Sequence, residues 1–223
     1  MQGKGNKAEA RWRAAQRKER GFWERPDVLD SQVERVVCRY LPVIREVSAS
    51  LDADARVLDV GCGPTCTARY FEAGSKTYLD PLMESYRRAY AATLPQAGKV
   101  CGRAEMIPAA DDTFDVVISV NALDHMHDPG EVLAEVRRVL APDGVFLLGI
   151  FLHAPAVAVG RRLIDRFLPF AREDAHPYSY TLAGMRALLS DYFVIDRQLL
   201  VFRKETALAP ALHRRDWIFF CKK

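Results

Sequence analysis

Two acids stand in two short apolar runs, Asp59 within Arg56-Val57-Leu58-Asp59-Val60 and Asp80 at the end of Thr77-Tyr78-Leu79-Asp80. Between them lies Gly61-Cys62-Gly63, where the backbone can turn sharply and approach a ligand that a Cβ would keep away. Gly61 and Asp80 are nineteen residues apart, close to the ~20 expected for a carboxylate that accepts ribose hydroxyls. A plain strand-to-helix turn also contains Gly-x-Gly; the second acid at that distance is what points to an adenosine-bearing ligand. Cys66 stands where a pyrophosphate-binding turn needs Gly or Ala, and Asp59 would repel phosphates. The residues therefore favour a cationic, sulfonium-bearing cofactor over a dinucleotide.

A second group, Asp124-His125-Met126-His127-Asp128, concentrates titratable side chains just beyond an apolar run. A neutral imidazole accepts a proton near neutral pH, so His125 and His127 are the candidate general bases. The structural alternative is a hydrogen bond at a helix entry or an exposed loop side chain. A metal is not expected, because Asp128, followed by Pro129 and Glu131, has the pattern of a helix N-cap. Further along, His153 and Tyr178, together with His176 and Tyr180, are candidates for the acceptor pocket, with ordinary packing as the alternative for each.

Positioning these groups requires a particular framework. Apolar runs suited to buried strands lie at 56–60, 77–80, 99–103, 114–120 and 144–151, separated by helical patterns at 65–73, 82–91 and 129–140. Gly74 would close the 65–73 helix. Strands alternating with helices imply an α/β fold, a Rossmann-like doubly wound sheet with helices on both faces. Helix 181–189 and strands 192–202 and 217–221 follow without a long crossover, so the mostly parallel sheet should end in an antiparallel C-terminal strand. Ahead of the core, residues 1–20 have a helical composition, and Ser31-x-x-Glu34 has the signature of a capping box opening another helix. Pro42 should end or bend that helix. Trp12, Phe22 and Trp23 stand out in this polar arm, either packing it down or roofing a cleft. The chain divides into an N-terminal helical arm or cap, 1–50, and a core domain, 51–223. Within the core, 151–180 is expected to be an acceptor-side insertion carrying an amphipathic helix around Arg161 to Phe170.

Leu58-Asp59-Val60-Gly61-Cys62-Gly63 resembles the first motif of class I S-adenosylmethionine-dependent methyltransferases, and Asp80 matches their ribose-binding acid. Ala104-Glu105-Met106-Ile107-Pro108 resembles the adenine-flanking segment of the type 11 branch. Phe114 to Ser119 with His125 and Asp128-Pro129 resembles that branch's fourth strand and the loop after it, and Val136 to Leu148 its closing helix-turn-strand. The likeness is close over about 55–150. It implies S-adenosyl-L-methionine as cofactor, with Asp59, Gly61, Cys62 and Gly63 facing the methionine portion and Asp80 and Pro81 at the ribose. Ala104 and Glu105 would edge the adenine, and Asn121 and Ala122 the methyl position. Arg103 departs from the pattern, since relatives carry an acid there, so the adenine contact falls to Glu105 or to backbone groups. The implied activity is methyl transfer to a small molecule or biosynthetic intermediate, lipid-linked or glycan acceptors included. The alternatives are an RNA methyltransferase using the basic arm and a non-catalytic cofactor-binding subunit.

Bulk properties narrow this further. Residues 1–26 carry eight basic and three acidic side chains, a net +5, so the rest of the +3 chain is at −2. A mildly acidic body is poorly built to grip a phosphate backbone, which speaks against nucleic acid. Five cysteines without metal-ligand spacing suit a reducing, cytoplasmic setting. The longest apolar run, Val145 to Leu152, is too short to span a bilayer. Oligomeric state leaves no mark in the sequence.

Overall fold

The computed structural model describes residues 2–96, 98–160, 178–204 and 214–223. Seven strands form one sheet: β1 Arg56–Val60, β2 Ser75–Asp80, β3 Lys99–Cys101, β4 Phe114–Val120, β5 Leu140–Leu152, β6 Val194–Lys204 and β7 Arg214–Lys222. Their order is β3-β2-β1-β4-β5-β7-β6. Strands β1 to β5 pair in parallel, while β7 runs antiparallel to both β5 and β6. The order reverses at β1 and β4, and a ligand crevice opens at the carboxyl ends of the strands at such a point.

The sheet is buried on both faces because its strands are apolar on both. Leu58, Val60 and Val117 pack on one side with α4 (Pro129–Val139) and α5 (Leu182–Ser190). Val57, Val116 and Ile118 pack on the other with α2 (Val28–Ser48) and α3 (Met83–Ala89). Helix α1 (Gln2–Trp23) lies outside this sandwich, joined to α2 by the turn at 24–27. Among the described residues no helix is long and apolar enough to cross a membrane.

Three local expectations are corrected. Residues 65–73 form no α-helix but a short 3₁₀ turn, Thr67–Tyr70, because Cys66 sits in the left-handed region (φ 48°) and breaks helical continuity. Ser31 is not a cap, since α2 begins a turn earlier at Val28 and the Ser31 hydroxyl donates back to the Val28 carbonyl. Pro42 does not end α2: buried Val36, Tyr40, Val43, Ile44 and Val47 carry the helix through it. Asp128 does cap α4, accepting the N–H groups of Gly130 and Glu131 at 2.9 and 3.2 Å. The helix expected around Arg161 to Phe170, and His176, lie outside the described residues.

Candidate active site

Buried β1 delivers the chain into a turn that only glycine accommodates easily. Gly61 has φ +66°, and a Cβ there would lie 2.5 Å from the Ala122 Cβ, so the turn packs flush against the end of β4. The N–H groups of Gly61 and Cys62 both donate to the Leu79 carbonyl, at 2.8 and 3.2 Å, tying this turn to β2. A cavity of about 500 Å³ opens above it, at the carboxyl ends of β1, β2 and β4.

Asp80 lines the cavity at the end of β2. Its carboxylate accepts the Gly63 N–H at 3.0 Å and the Leu82 N–H at 2.8 Å. Burial pushes its pKa up to about 6 despite these bonds, with the Glu19 carboxylate adding to the rise. Asp59 takes a different place. It lies beneath the turn, outside the cavity wall, and accepts the Ala68 N–H at 2.8 Å, organising the 3₁₀ segment. Its Oδ1 is buried without a hydrogen-bond partner among the described residues, and burial raises its pKa to about 7.

The other expected residues divide in the same way. Gly61, Cys62, Gly63, Pro81, Ala104, Glu105, Asn121, Ala122, His125 and His153 all line the cavity. Asn121, itself at φ +51°, donates its side-chain N–H to the buried Tyr40 hydroxyl at 3.3 Å. Glu105 spends one oxygen on the N–H groups of His127 and Asp128, at 2.8 and 3.2 Å, and the other on Arg103 at 3.3 Å. The first two bonds pin the loop so that His125 faces the cavity and His127 does not. His127 instead meets Trp12 edge to face, and its buried Nε2 lies 3.9 Å from Glu9 with no hydrogen bond among the described residues. Tyr178 also lies outside the cavity wall, its hydroxyl donating to the His127 carbonyl at 2.9 Å. The His125 Nδ1 lies 3.6 Å from Glu19, and its Nε2 lies 3.9 Å from Asp124.

Two further parts of the wall lie beyond the expected site residues. Helix α1 roofs the cavity with Trp12, Glu19 and Trp23: roofing is one of the two roles open to the aromatics of that arm, while nothing in the sequence singled out Glu19. The far end is formed by Arg35 and Arg39 of α2 with Phe151, Phe202 and Asp216. There Arg39 pairs with buried Asp216 and stacks 3.7 Å over the Phe202 ring. Arg35 has no ion pair among the described residues, and its buried Nε lacks an acceptor. No local signal marked these groups.

A doubly wound sheet closed by a reversed seventh strand, with a glycine turn facing an acid at the end of β2, defines the class I methyltransferase fold. Residues 58–148 match the family described as "Methyltransferase domain"; this part of the chain is a methyltransferase domain of the type 11 branch, whose cofactor is S-adenosylmethionine. The ubiquinone biosynthesis O-methyltransferase of Xanthomonas oryzae is 34% identical over 134 residues, 55% of this chain and 56% of that protein. The malonyl-[acyl-carrier protein] O-methyltransferase of Pseudescherichia vulneris is 37% identical over 124 residues, 51% of this chain and 49% of that one. The chain thus spans about half the length of these curated relatives. A putative methyltransferase from Bacillus halodurans shares the fold at a TM-score of 0.64 and 17% identity, covering 82% of this chain and 98% of its own.

Proposed function

We propose that this chain transfers the methyl group of S-adenosylmethionine to a small-molecule acceptor, a biosynthetic intermediate. The observation that carries the reading is the strand-end cavity, in which Asp80, the glycine turn and the 121–125 segment converge. When bound, the cofactor supplies a methyl group already activated by its sulfonium.

The residues fit that group. Asp80 has lone pairs left for ribose hydroxyls after accepting two N–H groups. The turn at Gly61, packed flush on Ala122, forms the floor on which the methionine portion would lie, and the Arg35 guanidinium, without an ion pair among the described residues, is available to its carboxylate. Ala104 and Pro81 offer apolar edges to an adenine. Asp59, Cys62 and Glu105 contribute by shaping the turn and loop. The protein's task is then to hold two reactants aligned and dry, worth ~7–11 kcal/mol at best. His125 is the base we assign, since it faces the cavity, and an imidazole nitrogen there would take the acceptor's proton as the new bond forms. His127 is assigned to loop packing against Trp12, and Tyr178 to holding that loop.

The acceptor belongs at the Phe151–His153–Phe202 end, which pairs aromatic surface with the Arg39–Asp216 ion pair. An aromatic or partly apolar acceptor with a polar group suits that lining, in keeping with the O-methyltransferase names of the two relatives. The basic arm gives little support to an RNA substrate, because its inward face is occupied in roofing the cavity. Incubation with methyl-labelled S-adenosylmethionine and a panel of phenolic and carboxylic acceptors tests the proposal. Transfer to any of them supports it. Tight cofactor binding with no transfer to any acceptor would favour the non-catalytic subunit instead.

A further inference from the structure

Helix α1 forms the roof of the cavity, opposite the glycine turn. The Trp23 ring lies 3.4 Å from where a Cβ on Gly63 would stand, and Trp12 and Glu19 extend the roof toward Arg103 and His125. Yet the helix is lightly held. Among its described side chains Ala15 and Trp23 are the buried apolar ones. Its other attachments are the Tyr90 hydroxyl on the Trp23 carbonyl, Arg103 bonded to Glu9 at 3.2 Å while stacking on Trp12 at 4.3 Å, edge contacts of Trp12 with His127 and of Trp23 with Tyr86, and Glu19 at 3.6 Å from the His125 Nδ1. Partly exposed pairs of this kind contribute little each, and parting them uncovers little apolar area.

Glu19 of this roof also faces acids across the cavity. The Glu19 carboxylate accepts the Trp23 indole N–H at 2.7 Å and shares the cavity with Asp80 and Asp124. Acids gathered on one cavity repel, and Glu19 is among the causes that hold the Asp80 carboxyl above its ordinary range. A ligand bringing hydroxyl donors and a positive sulfonium removes that repulsion.

We propose that helix α1 is a cover closed by the cofactor, and that Glu19 is a cofactor-binding residue sharing the ribose hydroxyls with Asp80. This rests on the cavity being the S-adenosylmethionine site. Asp80 already accepts one N–H on each oxygen, so a second carboxylate from the roof completes the set of acceptors for a diol held from both sides. Entry and exit of the cofactor then require α1 to swing on the turn at 24–27. Helix α1 carries exposed Arg17, Lys18 and Arg20, so a lifted helix offers trypsin three cleavage sites.

The experiment combines tryptic cleavage of α1 with calorimetric binding of S-adenosylhomocysteine, for the full chain and for Glu19→Gln, which retains an acceptor for Trp23. Saturating ligand should slow cleavage after Arg17, Lys18 and Arg20 by roughly tenfold or more in the natural chain. Glu19→Gln should bind roughly five- to tenfold more weakly and be less protected. Without ligand its melting temperature should equal or exceed that of the natural chain, because a repulsion has been removed. A purely structural Glu19 would instead lower that melting temperature and leave affinity alone, and this outcome overturns the proposal. Ligand-insensitive cleavage of α1 overturns it as well. Failure of the natural chain to bind S-adenosylhomocysteine would sink the cofactor-site reading and the cover with it. Binding that is unchanged by Glu19→Gln sinks the cover alone.

Discussion

Replacing Asp59 by Asn separates what this acid costs from what it does. The side chain is 1% exposed; one oxygen accepts the Ala68 N–H at 2.8 Å and the other has no hydrogen-bond partner among the described residues. Burial lifts its pKa from 3.8 to about 7, with the Asp80 charge adding to the rise and the backbone N–H groups of Ala68 and Thr67 opposing it. A raised carboxylate keeps its proton to higher pH in the folded chain than in the unfolded one. Stability from this group is therefore greatest below about pH 4 and is lost as pH climbs from about 4 to about 7. At ~1.4 kcal/mol per pH unit, that window is worth up to about 4 kcal/mol. Asparagine keeps a carbonyl for Ala68 and does not ionise, but its amide N–H₂ inherits the place of the unpartnered oxygen at some cost. Asp59→Asn should accordingly be about 1–3 kcal/mol more stable above pH 7, a rise in melting temperature of roughly 2–10 °C for a chain of this size. Scanning calorimetry from pH 4.5 to 8.5 is the assay, and the gain should shrink toward the acid end. The benefit of the acid should emerge with ligand present: the variant's preference for S-adenosylmethionine over S-adenosylhomocysteine, whose thioether sulfur is uncharged, should fall about two- to fivefold. A variant less stable than the natural chain at pH 8, or one with the same pH slope, would refute the argument that Asp59 is a buried and uncompensated charge.

Gly61→Ala should cost about 2–4 kcal/mol in urea unfolding and abolish measurable S-adenosylhomocysteine binding, since a Cβ at φ +66° meets Ala122 at 2.5 Å. Asp128→Ala removes a two-bond cap from α4 and should lower stability by about 1 kcal/mol, leaving cofactor affinity unaltered in calorimetry. His125→Ala should slow methyl transfer at neutral pH about 10²-fold without a matching loss of S-adenosylhomocysteine affinity; a full rate would remove His125 as the base.

The framework was legible wherever the signal is local. Strands 56–60 and 114–120 have the bounds their apolar runs predict, and Asp128 caps the helix its neighbours announce. The 65–73 helix was misread because its fate depends on two things outside its own composition. Cys66 adopts a left-handed backbone, and Asp59, nine residues back in a buried strand, claims the Ala68 N–H. Glu105 shows the same limit. Its position marks it for the adenine, but the two N–H groups it accepts arrive from residues 127 and 128, brought over by the fold.

This difference in range explains why the cofactor could be read from the sequence while the acceptor could not. The floor of the cavity, from the glycine turn through Asp80, Ala104 and Asn121 to His125, is drawn from one stretch of the chain in strand order. Each βα turn there carries its own chemistry next to the strand that positions it. The far end is assembled differently: Arg39 meets Asp216 across 177 residues, and Phe151 and Phe202 come from different strands beyond the switch point. No spacing rule links such residues, because their contact depends on the β5-β7-β6 pairing and on the seat of α2, both products of the whole fold. A chain that keeps its floor and rebuilds that end would keep the cofactor and change the acceptor. Substitutions at Arg39, Phe151 or Phe202 should therefore shift acceptor choice while leaving S-adenosylhomocysteine affinity in place.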